Sequence, residues 1–101
     1  MNPKRQTARD ELGTLLEKHE LTEGMYVRTH GDHLVVGRRE IFDSETIEGD
    51  RVRLTKLSSN RYGLSVKRHN GRWERTPFSG SMKEMVNAIH NFMQHLVTSY
   101  N

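Results

Sequence analysis

Basic residues crowd one segment of this chain, from position 51 to position 75. Eight lysines and arginines stand there against Glu74 alone, although the formal net charge of the whole chain is only +3. A local surplus of this size attracts polyanions when the side chains share one face of the fold. The alternative interpretation is a solvated sheet surface that lysine and arginine keep soluble.

Nucleic-acid binding is the chemistry that this surplus favours. It needs cations to neutralise phosphates and, for single strands, flat rings on which bases stack. The sequence has no RRM consensus, no zinc knuckle and no KH loop, and no predicted helix has the basic face of a major-groove reader. We therefore expect a surface of low base specificity for nucleic acid, with single-stranded DNA or RNA favoured, built from Arg51, Arg53, Arg61, Lys67, Arg72, Arg75, Tyr26 and Trp73.

The histidines are too dispersed to predict a metal site. His90 and His95 lie on one predicted helix but about 140° apart around its axis, so they cannot act as an i, i+4 pair does. His30, Asp32 and His33 cluster at one turn, where polar residues are ordinary. We expect neither a metal nor a cofactor.

No arrangement of nucleophile, base and orienting group can be assigned from the sequence. The serines have turn or capping roles, and the glycines are scattered singly rather than gathered in a phosphate-binding loop. Carboxylates gather only in residues 43–50, without the apolar walls that would shift a pKa. We expect a protein without enzymatic activity or catalytic residues.

The composition predicts a single domain over residues 1–101. A chain of 101 residues is long enough for one modest core. It contains no cysteine, which excludes disulfides and thiolate metal sites. Because no apolar run resembles a signal peptide or spans a bilayer, we expect a soluble protein of the cytoplasm.

The strongest helix signal lies in residues 81–98. Ser81 followed by Glu84 is a capping box, in which each residue's side chain binds the other's backbone amide. This segment predicts a long helix packed across one face of a sheet. Its apolar stripe comprises Met82, Met85, Val86, Ile89, Phe92, Met93, Leu96 and Val97.

A weaker pattern predicts a short helix over residues 7–19. Thr7 with Asp10 is a candidate cap, and Gly13 lowers the helix propensity. The apolar stripe is thin, so this helix needs a surface provided by the sheet or by a second subunit. The stripe comprises Ala8, Leu12, Leu15, Leu16 and His19.

Residues 25–41 have the pattern of a β-hairpin. Gly31-Asp32 suits the tight turn, and Gly37 indicates a bulge in the second strand. This register pairs Val27 with Val36 and Thr29 with Leu34 on one face, and leaves Tyr26, Arg28 and Val35 on the other. After the bulge, we expect the apolar pair at positions 41 and 42 to rejoin the core and residues 43–50 to form a solvated loop.

Residues 51–78 are predicted to form a meander, which completes an antiparallel sheet over residues 25–78. A loop at residues 58–60 places Val52 opposite Val66, Leu54 opposite Leu64 and Lys56 opposite Tyr62. A slip of one residue would expose all of these apolar side chains. On the reverse face, Arg51 then opposes Lys67, an unfavourable pair unless an anion lies between them.

The turn at Asn70-Gly71 allows two registers. A two-residue turn sets Lys67 opposite Glu74 and sends Trp73 to the helix-covered face. A three-residue loop with a glycine bulge sets Lys67 opposite Trp73 and leaves the indole with the arginines. We favour the core position, because a lone tryptophan in a small domain usually packs.

These elements predict an α+β fold: an antiparallel sheet of four or five strands, a short N-terminal helix and a long C-terminal helix across one face. Over residues 25–98 this layout resembles the strand-strand-strand-strand-helix units of PC4-like, Whirly and PUR-type single-strand binders. The resemblance is one of architecture, and it implies a fold related to single-strand binding.

A second function class is a protein-interaction module, in particular a homodimer. The thin stripe of residues 7–19 and an unpaired edge strand would both gain from a partner. The position of the N-terminal helix distinguishes the two classes. If it packs over the face of Arg51 and Arg53, nucleic acid cannot use that face.

Overall fold

The protein folds as a five-stranded antiparallel sheet with helices at both ends of the chain. The computed structural model describes residues 3–97, with side chains from residue 7 onward. The strands follow one another in the sheet in chain order. This confirms the predicted α+β class. The elements are α1 (Pro3–Glu17), β1 (Tyr26–His30), β2 (His33–Phe42), β3 (Glu45–Ser58), β4 (Arg61–Lys67), β5 (Trp73–Gly80), α2 (Met82–Phe92) and α3 (Gln94–Val97).

All the helices contribute to one core, on one side of the sheet. Leu12 and Leu16 of α1 are buried there with Ile89 of α2 and Val97 of α3. The N-terminal helix therefore packs beside α2 and does not cover the opposite side. We call that opposite side the open face; it carries Tyr26, Arg28, His33, Val35, Gly37, Arg39, Asp50, Arg53, Thr55, Ser65, Lys67, Trp73 and Arg75.

The predicted registers of both central hairpins are confirmed. Val27 pairs with Val36 and Thr29 with Leu34 in β1–β2. In β3–β4, Val52 pairs with Val66, Leu54 with Leu64 and Lys56 with Tyr62. The β3–β4 turn is tighter than predicted, because Ser58 pairs directly with Arg61 and a register shift beside Leu57 takes up the extra residue.

A register shift is present at Gly37 as predicted, but its extra residue lies on β3 and not on the second strand, and it changes the face of one key residue. Val36 pairs with Val52, but Gly37 pairs with Asp50, so Arg51 is the extra residue on β3. A bulge reverses the alternation of side chains along a strand. Asp50 consequently faces the open side, while Arg51 turns towards the helices.

The acidic segment is not a loop, and the prediction for residues 41–50 is wrong. Only Asp43 and Ser44 form the turn, with φ values of 50° and 68°, and β3 begins at once at Glu45. Two positive φ values are the geometry of the tight hairpin turn that suits twisted strands. Residues 38–50 thus form a two-stranded arm beyond the part of the sheet that β1 and β4 pair with. Ile41 and Phe42 on this arm are 67% and 39% exposed, so they do not rejoin the core.

The β4–β5 hairpin adopts the three-residue loop, so the favoured core position of Trp73 is wrong. Lys67 pairs with Trp73 and Val66 with Glu74. Gly71 has φ +85°, a conformation that glycine adopts without steric cost. A shift in the ladder further along β5 then turns Phe78 to the helix side, where it packs on the core and stacks on Phe92. Phe78, not the indole, fills that part of the core.

Both helices at the ends differ from their predicted bounds. The N-terminal helix runs over Pro3–Glu17 rather than residues 7–19, so Thr7 lies inside it and does not cap it. Proline suits a first helical position because it lacks an amide hydrogen that would be unpaired there. The C-terminal segment is not one long helix: α2 has 11 residues, and α3 has four.

A break at Met93 separates α2 from α3. Met93 has φ −126° and ψ 26°, outside the helical range, and its side chain remains buried. The change of direction brings Val97 into the core and leaves Phe92 exposed. The predicted capping box is confirmed: the Ser81 hydroxyl accepts the Glu84 amide at 3.1 Å, and the Glu84 carboxylate accepts the Ser81 amide at 2.9 Å. The predicted helix ended at residue 98, and residues 98–101 lie outside the described residues.

Candidate nucleic-acid interface

Side chains on the open face form rows that cross the strands. The pairings place the central row on Arg28, Val35, Arg53, Ser65 and Arg75, one residue from each strand. The three arginines of this row stand on every second strand. Because neighbouring strands lie about 4.8 Å apart, the backbone positions of successive arginines are about 10 Å apart. Val35 is only 4% exposed although it faces away from the helices, and it pairs with Arg28 on one side and Arg53 on the other.

The row on one side combines an aromatic ring at each end with an acid between them. It runs through Tyr26, Gly37, Asp50, Lys67 and Trp73. The Tyr26 ring lies over Gly37, since a Cβ atom at that glycine would stand only 2.5 Å from the ring carbon Cζ. Glycine in a strand permits this close covering by an aromatic ring.

Asp50 is the anion at the centre of this row. Its carboxylate accepts hydrogen bonds of 2.6 Å from the Tyr26 hydroxyl and 2.6 Å from the Arg28 guanidinium, and Lys67 Nζ lies 3.7 Å away. Burial alone would raise the pKa of Asp50, but the bonds from Arg28 and Tyr26 outweigh it, so its pKa lies below the usual range. Burial and the bond to Asp50 raise the pKa of Tyr26 well above its usual value. Asp50 is therefore an anion that neutralises part of the face.

Trp73 lies close to two cations. The Arg53 guanidinium is 4.8 Å from the centre of the indole, and Lys67 Nζ is 5.7 Å from it. Arginine and lysine are attracted to the electron-rich face of tryptophan at such distances. Tyr26 has the same kind of neighbour, because the Arg39 guanidinium lies 5.4 Å from its ring centre.

Arg53 and Arg75 line a surface cavity of about 250 Å³ on this face. The other lining residues are His33, Thr55, Leu57, Gly63 and Ser65. His33 Nδ1 is 2.7 Å from the Thr55 hydroxyl. Burial, followed by the nearby charge of Arg53, lowers the pKa of His33. This shift favours the neutral ring, so Arg53 and Arg75 are the positively charged residues of the lining.

Arg53 and Arg75 differ from the other arginines of the face in their pairing. Arg28 has Asp50 as its partner, and Arg39 has Glu48 at 3.0 Å. Within the described residues, neither Arg53 nor Arg75 has a carboxylate within 4.0 Å. The Nε of Arg53 is also buried there without a hydrogen-bond partner. Their charges are thus available to an external anion.

The structure gathers most of the residues predicted for the interface. Arg53, Lys67, Arg75, Tyr26 and Trp73 lie together on the open face. Two others lie at its margins: Arg61 bonds the Ser79 hydroxyl at 2.7 Å near one end of the sheet, and the exposed Arg72 is in the β4–β5 hairpin beside Trp73.

Arg51 does not belong to this face, and its predicted position opposite Lys67 there is wrong. Its side chain is 7% exposed and points to the helix side, where Nη1 donates to the Leu96 carbonyl at 3.1 Å. Its Nη2 lies 3.6 Å from Glu40. Cations at the last carbonyls of a helix stabilise its end, and Arg38 donates to the Val97 carbonyl in the same way. The bulge makes Arg51 a structural residue.

Two cations and one acid of the face were not predicted as part of the interface. Arg28 shares the face with Tyr26 by simple alternation, so the sequence contained that signal. Arg39 follows from the same kind of alternation along β2, two residues after Gly37, whereas Asp50 reaches the face only because the extra residue Arg51 shifts the alternation of β3. No sequence pattern gives the strand on which a bulge places its extra residue.

A larger cleft of about 600 Å³ lies between the arm and the β4–β5 hairpin. Its walls combine the apolar Phe42, Ile47 and Leu96 with charged groups that include Glu40 and Lys67. Among the described residues, no group of three or more histidine, aspartate or glutamate side chains could hold a metal ion. No helix in the described part of the chain is long and apolar enough to cross a bilayer.

Comparison with known proteins gives no family or relative. No family model, no curated protein and no solved structure matches this chain.

Proposed function

We propose that this protein is a cytoplasmic, non-enzymatic module that binds nucleic acid through its open face, with single strands favoured and little base specificity. The observation that supports the proposal is the placement of Arg53 and Arg75. Both are free of carboxylate partners within the described residues, and Arg53 also contacts the indole of Trp73. Phosphate neutralisation needs such cations, and stacking needs such a ring.

The charges of the face favour weak to moderate binding rather than very tight binding. Asp50 and Glu48 already pair with Arg28 and Arg39, which leaves Arg53, Arg75 and the loosely paired Lys67 as the main phosphate contacts. For a single strand, each phosphate contact contributes about −0.7 to the slope of log K against log salt. Three contacts therefore predict a slope of about −2.

The test is fluorescence anisotropy of labelled single-stranded DNA, duplex DNA and RNA, titrated with protein at several salt concentrations. The double variant Arg53→Gln/Arg75→Gln removes two contacts. It should flatten the slope by about 1.4 and weaken binding about 25-fold at 0.1 M salt.

A matched control removes the same charge from the helix side. Arg9 lies on α1 and the exposed Lys83 on α2, so Arg9→Gln/Lys83→Gln should bind nearly as the wild type does. The proposal is wrong if the wild type does not bind at low salt, or if both double variants lose affinity equally. The second result would mean that net charge, and not the open face, determines binding.

A second candidate function is self-association as a homodimer. The exposed apolar residues of the arm favour it: Ile47 is 47% exposed and stands near Phe42 on the wall of the larger cleft. Exposed apolar patches on small domains often mark protein interfaces. Sedimentation equilibrium of the wild type and of Phe42→Asp tests it. A dimer that the substitution dissociates would support this role, and a monomer at all concentrations would exclude it.

A further inference from the structure

The cavity between Arg53 and Arg75 has the features of a phosphate subsite. The two arginines occupy the same row of the sheet, on either side of Ser65, and both line the cavity. Guanidinium groups bind phosphate oxygens with two parallel hydrogen bonds, which lysine cannot do. Two arginines that line one cavity place two such groups within reach of a single phosphodiester.

The unpaired Nε–H of Arg53 supports this interpretation. A buried donor without a partner costs free energy, and such groups in a native fold call for an explanation, for example an ion that is bound in the functional state. Because Nε is buried in the structure, the Arg53 side chain must turn towards the cavity for this hydrogen to reach a phosphate oxygen. The anion would then satisfy the donor that the described residues leave unpaired.

Trp73 stands where the base of the same nucleotide would lie. It precedes Arg75 by two residues on β5, so both side chains are on the open face. Arg53 connects the two features, because it lines the cavity and its guanidinium also lies 4.8 Å from the indole centre. A nucleotide whose phosphate pairs with Arg53 thus has its base within reach of the ring.

We infer that Arg53, Arg75 and Trp73 form a nucleotide subsite for single-stranded nucleic acid on the open face, an inference that rests on the proposed function. Arg53 and Arg75 hold a backbone phosphate, and Trp73 stacks on the adjoining base. A duplex cannot use the subsite, because its bases are stacked on one another and not available to the indole. The recognition is independent of sequence, since every base has a flat face.

Trp73 is the sole tryptophan of the chain, so its fluorescence reports on this subsite alone. The probes are a thymidine oligonucleotide of about ten residues, an abasic oligomer with the same number of phosphates, and inorganic phosphate. The oligonucleotide should quench the tryptophan fluorescence to saturation. The abasic oligomer should bind with less quenching, and inorganic phosphate should compete only weakly. Equal competition by inorganic phosphate would overturn the assignment to a nucleic-acid strand.

Three variants separate stacking from phosphate binding, with affinity measured by anisotropy. Trp73→Leu should weaken binding of the thymidine oligonucleotide by about 5- to 150-fold, the range for loss of one stacked base, and leave the abasic oligomer unaffected. Trp73→Phe, which keeps a ring, should recover part of the loss and guards against a folding defect. Arg75→Gln should weaken both oligomers by about 5-fold at 0.1 M salt.

The inference and the proposed function fail in different ways. If no oligomer binds the wild type, the proposed function itself is wrong. If the oligonucleotide binds but does not quench Trp73, or if Trp73→Leu binds both oligomers as the wild type does, the subsite is wrong and the wider face still binds nucleic acid.

Discussion

Gly37→Ala is the substitution whose effect follows most directly from the geometry of the open face. A Cβ atom at this position would overlap the backbone oxygen of Gly49 and the phenol group of Tyr26, with the ring carbon Cζ at 2.5 Å. Carbon atoms in good contact are about 3.5–4.0 Å apart. Since the Gly49 oxygen belongs to the paired strand, a side-chain rotation of Tyr26 cannot relieve the whole overlap.

The expected cost is the sum of two effects. Forcing a methyl group into a filled position costs typically about 1–3 kcal/mol. Displacing Tyr26 also breaks its hydrogen bond to the Asp50 carboxylate, a bond to a charged group worth about 1.5–3 kcal/mol. The lower entropy of the unfolded chain offsets about 0.4–1 kcal/mol of this. We expect a net destabilisation of about 1.5–5.5 kcal/mol.

Gly63→Ala is the matched control, because Gly63 also lies in a strand beneath a side chain. A Cβ atom there would stand 3.4 Å from Leu57 Cδ1, at the end of an exposed side chain that can move. Thermal unfolding followed by circular dichroism measures both variants. At about 4–8 °C per kcal/mol for a domain of this size, Gly37→Ala should lower Tm by at least about 6 °C and Gly63→Ala by a few degrees at most.

Equal Tm values for the two variants would refute this reasoning about Gly37. A third variant, Tyr26→Phe, removes only the hydroxyl. Tyr26→Phe should destabilise the fold less in the Gly37→Ala variant than in the wild type, since Gly37→Ala has already broken the hydrogen bond from Tyr26 to Asp50. Strict additivity of the two substitutions would show that Tyr26 does not move when the methyl group is introduced.

Three further predictions concern a cap, a histidine pair and the acid of the open face. Ser81→Ala removes half of the capping box and should cost about 1 kcal/mol, measured by urea unfolding. His90 stacks on His19 with ring centres 3.9 Å apart, and burial followed by that neighbour lowers the pKa of His90. Because the folded state then binds fewer protons than the unfolded state, the free energy of unfolding should fall as the pH drops below about 6.5. His90→Gln should flatten this decline. An unchanged pH profile of stability in that variant would contradict the assignment to His90. Asp50→Asn removes the anion that pairs with Arg28. It should therefore lower the stability of the fold yet tighten oligonucleotide binding a few-fold, measured by anisotropy. Weaker binding by a folded variant would argue against phosphate contacts on this face.

Alternation and capping are the features that the sequence predicted well. Val52, Leu54, Leu64 and Val66 fit a single register, because a slip of one residue would expose all four. The capping box at Ser81 depends on two residues three positions apart and needs no tertiary contact. The long C-terminal helix failed as a prediction, because the break at Met93 depends on packing. By changing direction there, the chain buries Val97.

Within the candidate site, the sequence identified the cations but not all of their positions. Arg53 keeps its predicted face because it lies beyond the bulge, in regular pairing with Ser65. Arg51, two residues earlier, changes face because the pairing of Gly37 with Asp50 leaves it without a partner on β2. Charge composition cannot distinguish these two arginines.

Local periodicity and composition were sufficient to predict the α+β class, the two central registers and the basic surplus of residues 51–75. The folded structure was needed to establish that Asp50 rather than Arg51 joins the open face, that Trp73 lies there beside Arg53, and that α1 packs on the opposite side. The difference lies in the range of the interactions. A bulge or a loop register reverses the face of every residue around it, and its choice depends on pairing and packing between segments far apart in the chain.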